Sequence, residues 1–317
     1  MPLDLTLHAT RRPRFVDRGS REPAWRSLHR LADTAYPDFA LAWQVLFEDL
    51  RGALDFATVR TALETRNLLV LEDVVRSAWT RLATEAQQQT LVPLLADLVG
   101  KAGLAMVPST TAALGVGVAF NVAAPEVLLI AEQYAGTQIL GIGETTLQAV
   151  RQALRLSFAE GRGLAQLRAD LRSVVGVTPR QAATLERLRQ RLTQEGVPVA
   201  GVRARVAEAS ARAVRQRVEN IARSESITSA SMGQQLLWEA ADAQGVWDHD
   251  RIRRYWIVSP DDRLCVRCRA VPLRNPNGVG LREPFDTASG PALHPALHPS
   301  CRCAIRIGLH RDLTAAA

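Results

Sequence analysis

Every cysteine of the 317-residue chain falls in one stretch near its end: Cys265, Cys268, Cys301 and Cys303, with His298 three residues before Cys301. A Cys-x-x-Cys turn brings two sulfurs to one edge of a metal ion, and His298-x-x-Cys301 repeats that spacing with an imidazole and a thiolate. Cys303 is a fifth donor for a centre that ordinarily takes four. In extended backbone Cys301 and Cys303 would point to opposite faces, so Cys265 and Cys268 are the firmer pair and the full ligand set stays open. Two disulfides, or redox-active thiols, are the competing fates of four cysteines. The opening residues, MPLDLTLHATRRPRF, contain no continuous apolar run of the kind that marks a secretory signal. Cytosolic synthesis is therefore expected, where thiols stay reduced and a metal is favoured. A catalytic ion would need an open coordination position and mostly His or carboxylate ligands, so the expectation is a structural zinc ion.

Such an ion has a physical purpose here. The segment from Gly245 onward is short and rich in Pro, Gly, Arg and Asp. Below roughly 70–80 residues a hydrophobic core alone seldom supplies more than about 3–5 kcal/mol, whereas structural zinc contributes on the order of 10–16 kcal/mol in small peptides.

The elements that must position these donors are mostly helices. Residues 1–24 carry Arg11, Arg12, Arg14, Arg18 and Arg21 with little apolar content and read as a basic arm. Residues 25–119 read as an N-terminal helical region. It starts with a helix from Asp38 to Leu50 behind Pro37, one over 56–65 capped by Asp55, and two more over 71–83 and 86–99. The run 101–120 is the most apolar, but Pro108 and three glycines from Gly103 to Gly117 interrupt it. It reads as a buried or flexible connector, not a membrane span. Residues 120–244 read as a second helical part: 125–139, 144–159, 164–174, a helix opened by the capping box Thr178-Pro179-Arg180-Gln181, and one long helix over 202–243. Arg254 to Val258 switches to β-branched and aromatic residues, a strand, within a Cys/His module spanning 245–317. The fold class expected is mainly α, an elongated helical body with a small α+β zinc-stabilised module at its C-terminal end.

The net charge is +7 and the sequence pI about 10.0, with Lys101 the only lysine. This basicity favours anionic partners such as nucleic acid. Arg203, Arg205, Arg212 and Arg215 on the long helix, with Arg11, Arg12 and Arg14 of the arm, are the candidate contacts to duplex DNA, without sequence specificity. Interspersed acids such as Glu208 and Glu219 can absorb part of that charge in intramolecular pairs.

The order of landmarks resembles a known family. FNVAAPEVLLIAEQYAGTQILGIGETTLQAVRQAL, a Gly-Arg-Gly turn, a long helix containing IARSE, then RRYWIVSPDDRLCVRC and finally HPSCRC are similar to the phage Mu F-like minor head, or head-morphogenesis, proteins of tailed phages. The resemblance covers residues 120–307. It implies a virion component built in near the portal vertex, present in the host cytoplasm during assembly, and associated with the portal protein, the major capsid protein and packaged DNA. The positions that agree are Arg223, Glu225, Trp256, Asp261 or Asp262, Cys265, Cys268, His298, Cys301, Arg302 and Cys303.

Two other readings stand beside it: a metal-containing hydrolase or transferase, and a free DNA-binding protein. Arg-Ser-Glu fragments occur in some ADP-ribosyl transfer sites, but Arg223 and Glu225 at i, i+2 do not share a helix face. The expectation for Arg223, Glu225 and Asp261 is structural, with Glu225 or Asp261 ion-paired to an arginine of the Cys/His module. His294 reads as a solvated loop residue, and no catalytic residue is expected.

Overall fold

The computed structural model describes residues 24–54, 56–258, 264–299 and 301–310. Arg11, Arg12 and Arg14, the Asp55 cap and Asp261 lie outside them. The architecture is mainly α with a small α+β module at the C-terminal end. Its helices are α1 (Ala24–Ala53), α2 (Phe56–Glu64), α3 (Leu68–Ala86), α4 (Val92–Leu114), α5 (Pro125–Ala159), α6 (Leu164–Val174), α7 (Pro179–Gln194), α8 (Val199–Ala243) and α9 (Val266–Arg274). Strands β1 (Ile252–Ile257) and β2 (Ala304–Leu309) pair antiparallel, Ile252 opposite Leu309 and Ile257 opposite Ala304.

Several boundaries differ from expectation, each for an identifiable reason. Pro37 does not start a helix but sits inside α1. It and Asp33, whose carbonyl loses its i+4 donor there, both face solvent. Leu28, Ala32, Phe39, Trp43 and Phe47 stay buried on either side of it, so one apolar stripe carries the helix through. Residues 101–114 are not a connector: they complete α4, which ends at Gly115 with φ of 72°. A π-helical segment, Gln87–Leu91, joins α3 to α4 without a break. The combined run Leu68–Leu114 is long and apolar enough to cross a membrane by length and composition, yet half of its apolar window is buried within the fold. Glycine at 233 permits the closest approach, since a Cβ there would stand 2.1 Å from the Val99 carbonyl oxygen of α4. The two helices expected over 125–159 are one, because Gly143 continues the helix instead of breaking it. A Cβ at Gly143 would meet the Trp79 indole at 2.2 Å, so packing outweighs the roughly 1 kcal/mol helix penalty of glycine. By contrast, α6 and the Thr178–Gln181 capping box that opens α7 are as the sequence predicts.

Apolar side chains gather in two main cores. One joins Trp43, Phe47, Leu71, Trp79, Val150, Leu171, Leu185, Val214 and Val218. The other joins Leu28, Phe39, Leu98, Met106, Ala222, Ile227 and Trp238 to Ile252, Trp256, Val271, Phe285, Ile305 and Ile307 of the module. Among the described residues the module thus has no separate core. It completes one supplied by α1, α4, α5 and α8.

Two buried arginines fasten these layers. Arg217 of α8 donates to the Val177 and Ile142 carbonyls at 2.9 and 3.1 Å and to the hydroxyls of Thr145 and Thr146, and lies over Phe47. Burial lowers its pKa to about 10. Arg254 of β1, fully buried, donates to Gln235 Oε1 of α8 at 3.0 Å and to the carbonyls of Gly280, Glu283 and Leu293. It pins the loop between α9 and β2 onto the long helix.

Candidate metal centre

The sheet register explains how donors some 30 residues apart in sequence meet. Ala304 pairs with Ile257 at the end of β1, so Cys303, one residue before β2, lies beside that end of the sheet. Cys265 is the N-cap of α9, its sulfur accepting from the Cys268 backbone N–H at 3.4 Å. Both sulfurs therefore sit at the N-terminal end of a helix.

All five sequence-predicted donors converge. Cys265, Cys268 and His298 form one trio, and Cys268, Cys301 and Cys303 a second, with the donor atoms of each within 4.8 Å of one another. His298 Nε2 is 3.1 Å from both Cys265 Sγ and Cys268 Sγ. Cys268 Sγ and Cys301 Sγ are 3.8 Å apart, the edge expected of a tetrahedral ion with metal–sulfur bonds of about 2.3 Å. All four cysteines are unbridged. The expectation that Cys301 and Cys303 face opposite ways is not met: β2 begins only at Ala304, and both thiols are about 1% exposed.

The surroundings fit a cation. His298 Nδ1 donates to the Pro299 carbonyl at 2.8 Å, which fixes the tautomer and leaves Nε2 with its lone pair toward the sulfurs. The Cys268 thiol is held far above its usual range because its S–H is donated to Cys301 and Cys303, while Cys301 is depressed because it accepts from both. Protons shared among buried sulfurs are what a bound cation replaces. Among the described residues the Trp256 indole N–H is buried without an oxygen or nitrogen acceptor and meets the Cys303 thiol, which is pushed up to about 12 because the hydrogen bond from Cys268 is outweighed by donation to Cys301 and by burial. These residues can hold a metal ion.

Two further histidines are placed by the fold in ways the sequence did not indicate. His29 of α1 lies against the Cys303 main chain, its pKa lowered by burial. His294 is half-buried, not a solvated loop residue, and donates Nδ1 to the Pro295 carbonyl at 2.8 Å. Nothing in their local sequence sets them apart; only the docking of the module onto the helices does.

Of the structural ion pair expected of Glu225 or Asp261 with an arginine of the module, Asp261 lies outside the described residues, and among the described residues Glu225 makes no such pair. Arg223 lies over the Tyr36 ring, 5.3 Å from its centroid. Glu225, 3% exposed, meets Tyr134 and not an arginine. Tyr134 also bonds Thr228, whose hydroxyl accepts from the Ala296 N–H at 3.2 Å, in the loop just before His298. Burial raises the Glu225 carboxyl to about 8. The folded state thus keeps a proton that the unfolded chain releases near 4.5. The stability this gives is complete below pH 4.5 and lost as pH rises toward 8. Relative to Glu225→Gln, the wild type should lose stability across that window at up to about 1.4 kcal/mol per pH unit. Denaturant midpoints at pH 5 and 8 that move in parallel for both proteins would contradict this placement of the proton.

Of the candidate DNA contacts, Arg205, Arg212 and Arg215 share the exposed face of α8. Arg212 there pairs with Glu208. Arg203 turns to the other side and donates to Gln166 Oε1 of α6 at 3.1 Å. No protein-family model, no curated protein and no solved structure matches the chain.

Proposed function

We propose that this chain is a minor head, or head-morphogenesis, protein of a tailed phage: a structural virion component and not an enzyme. It holds one structural zinc, docks on the portal and major capsid proteins, and touches packaged duplex DNA without reading its sequence. It resides in the host cytoplasm during assembly and afterwards at the portal vertex, with no membrane span.

The observation that carries this reading is the centre itself. The landmarks Trp256, Cys265, Cys268, His298, Cys301 and Cys303, which underlie the family resemblance, meet at one place. A cysteine-rich donor set of that size fills a tetrahedral ion and leaves no position for a substrate. Glu225, the residue an enzymatic reading would need, is sealed against Tyr134. The half-buried apolar run of α3 and α4 supports a core role for it.

Density-gradient fractionation of particles from producing cells tests the proposal. The chain and about one zinc per copy should co-sediment with heads. A chain found solely among free proteins would overturn it. DNA contact has its own test: the slope of log affinity against log salt should flatten by about 2–3 when Arg205, Arg212 and Arg215 are changed together to alanine. An unchanged slope removes this face from the DNA contact.

A further inference from the structure

The side of α8 turned away from Arg205, Arg212 and Arg215 borders a cavity of about 870 Å³ between α6 and the first turns of α8. Its floor is short and aliphatic: Ala165 and Ala169 on α6, Val206, Ala207 and Ala211 on α8. Alanines at i, i+4 on two neighbouring helices leave a trough into which a third helix can lay its apolar side chains. The rim is cationic. Among the described residues Arg51 donates to the Val175 carbonyl, at 3.0 and 3.2 Å, with Glu48 acting on it through space, and Arg203 donates to a neutral amide oxygen, so neither guanidinium is hydrogen-bonded to a carboxylate there. Arg172 is exposed beside them. The one acid among the lining residues, Asp170, is already paired with Arg162 at 2.7 Å.

We infer that this groove is a docking site for an amphipathic helix of a partner protein whose apolar stripe is flanked by Asp and Glu. Charge complementarity selects that occupant. The chain's own first residues, with Arg11, Arg12, Arg14, Arg18 and Arg21, carry the same sign as the rim. A second copy of a chain with net charge +7 is disfavoured on the same ground. Nucleic acid matches the charge but not the floor, because no aromatic ring lines the groove to stack a base. The site lies across α8 from the proposed DNA face, so either can fail without the other.

The test is a displayed library of helical 18-residue peptides with randomised exposed positions, panned on the wild-type protein and counter-selected on Ala207→Trp. Ala207 is exposed, and circular dichroism checks that the variant keeps its helices; Ala207→Leu serves as a milder block. Enriched peptides should carry apolar residues at i, i+3 or i+4, and i+7 with acidic flanks. They should bind at least tenfold more weakly to Arg172→Glu/Arg203→Glu and to Ala207→Trp. Failure to enrich such peptides, or equal binding to the blocked variants, overturns the inference. So does self-association that Ala207→Trp abolishes, which assigns the groove to a second copy. Loss of duplex-DNA affinity in Ala207→Trp overturns it in favour of nucleic acid.

Discussion

Replacing Cys268 by serine is expected to strip the chain of its metal and, with it, the ordered packing of residues 264–310. Cys268 belongs to both donor trios and is 2% exposed, so its loss removes the one donor that the two trios share. A structural ion contributes on the order of 10–16 kcal/mol in small peptides, comparable to the whole 5–15 kcal/mol by which domains are stable. The damage should be confined. Trp256, Phe285 and Ile305 share their core with α1, α4 and α8, whereas the core holding α2, α6 and α7 receives nothing from the module. Elemental analysis should fall from about one metal per chain to none. Hydrogen exchange should lose protection in β1, α9, β2 and the first half of α1 while α6 and α7 keep theirs. Chelation of the wild type should reproduce the pattern. A serine variant with its full metal and wild-type protection would refute the assignment.

The second large effect is expected at Arg254. Its guanidinium sends N–H groups to four separate oxygens, on Gln235, Gly280, Glu283 and Leu293, and lies over Phe285 at 5.2 Å from the centroid. Among the described residues no carboxylate hydrogen-bonds it, and burial lowers its pKa to about 10. Arg254→Met would remove the charge but strand the buried Gln235 Oε1 and three partly buried loop carbonyls, at a cost of roughly 3–5 kcal/mol. Arg254→Lys should do little better, because one ammonium cannot span the fork that reaches three loop carbonyls and α8 at once. Urea midpoints for both variants should drop well below wild type, with an unchanged slope. A loss under about 1 kcal/mol would show that the loop is held by other means.

The centre was legible in sequence because its information is local: Cys265 to Cys268 and His298 to Cys301 are each one turn of chain with ligand spacing. The capping box at Thr178 and Gln181 was legible for the same reason. What could not be read depends on what lies opposite. Gly143 looks like a helix end until Trp79 is placed against it. Pro37 looks like a start until the stripe from Leu28 to Phe47 is seen to run past it. Arg217 and Arg254 resemble the other arginines in composition, yet carbonyls at distant points in the chain make both internal fasteners. The Glu225–Tyr134 contact joins α8 to α5 across 91 residues, and no motif announces it.

The 45 residues of α8 run unbroken from one core into the other, with Val218 in the first and Ala222 in the second. An α-helix turns about 100° per residue, so the stretch between these positions works as a keyed shaft. One added or deleted residue there would swing Trp238 and Gln235 out of line with their sockets while leaving Val214 seated. Length changes are therefore better tolerated in the connectors around residues 115–124 and 244–251 than among the three residues between Val218 and Ala222 in the middle of α8.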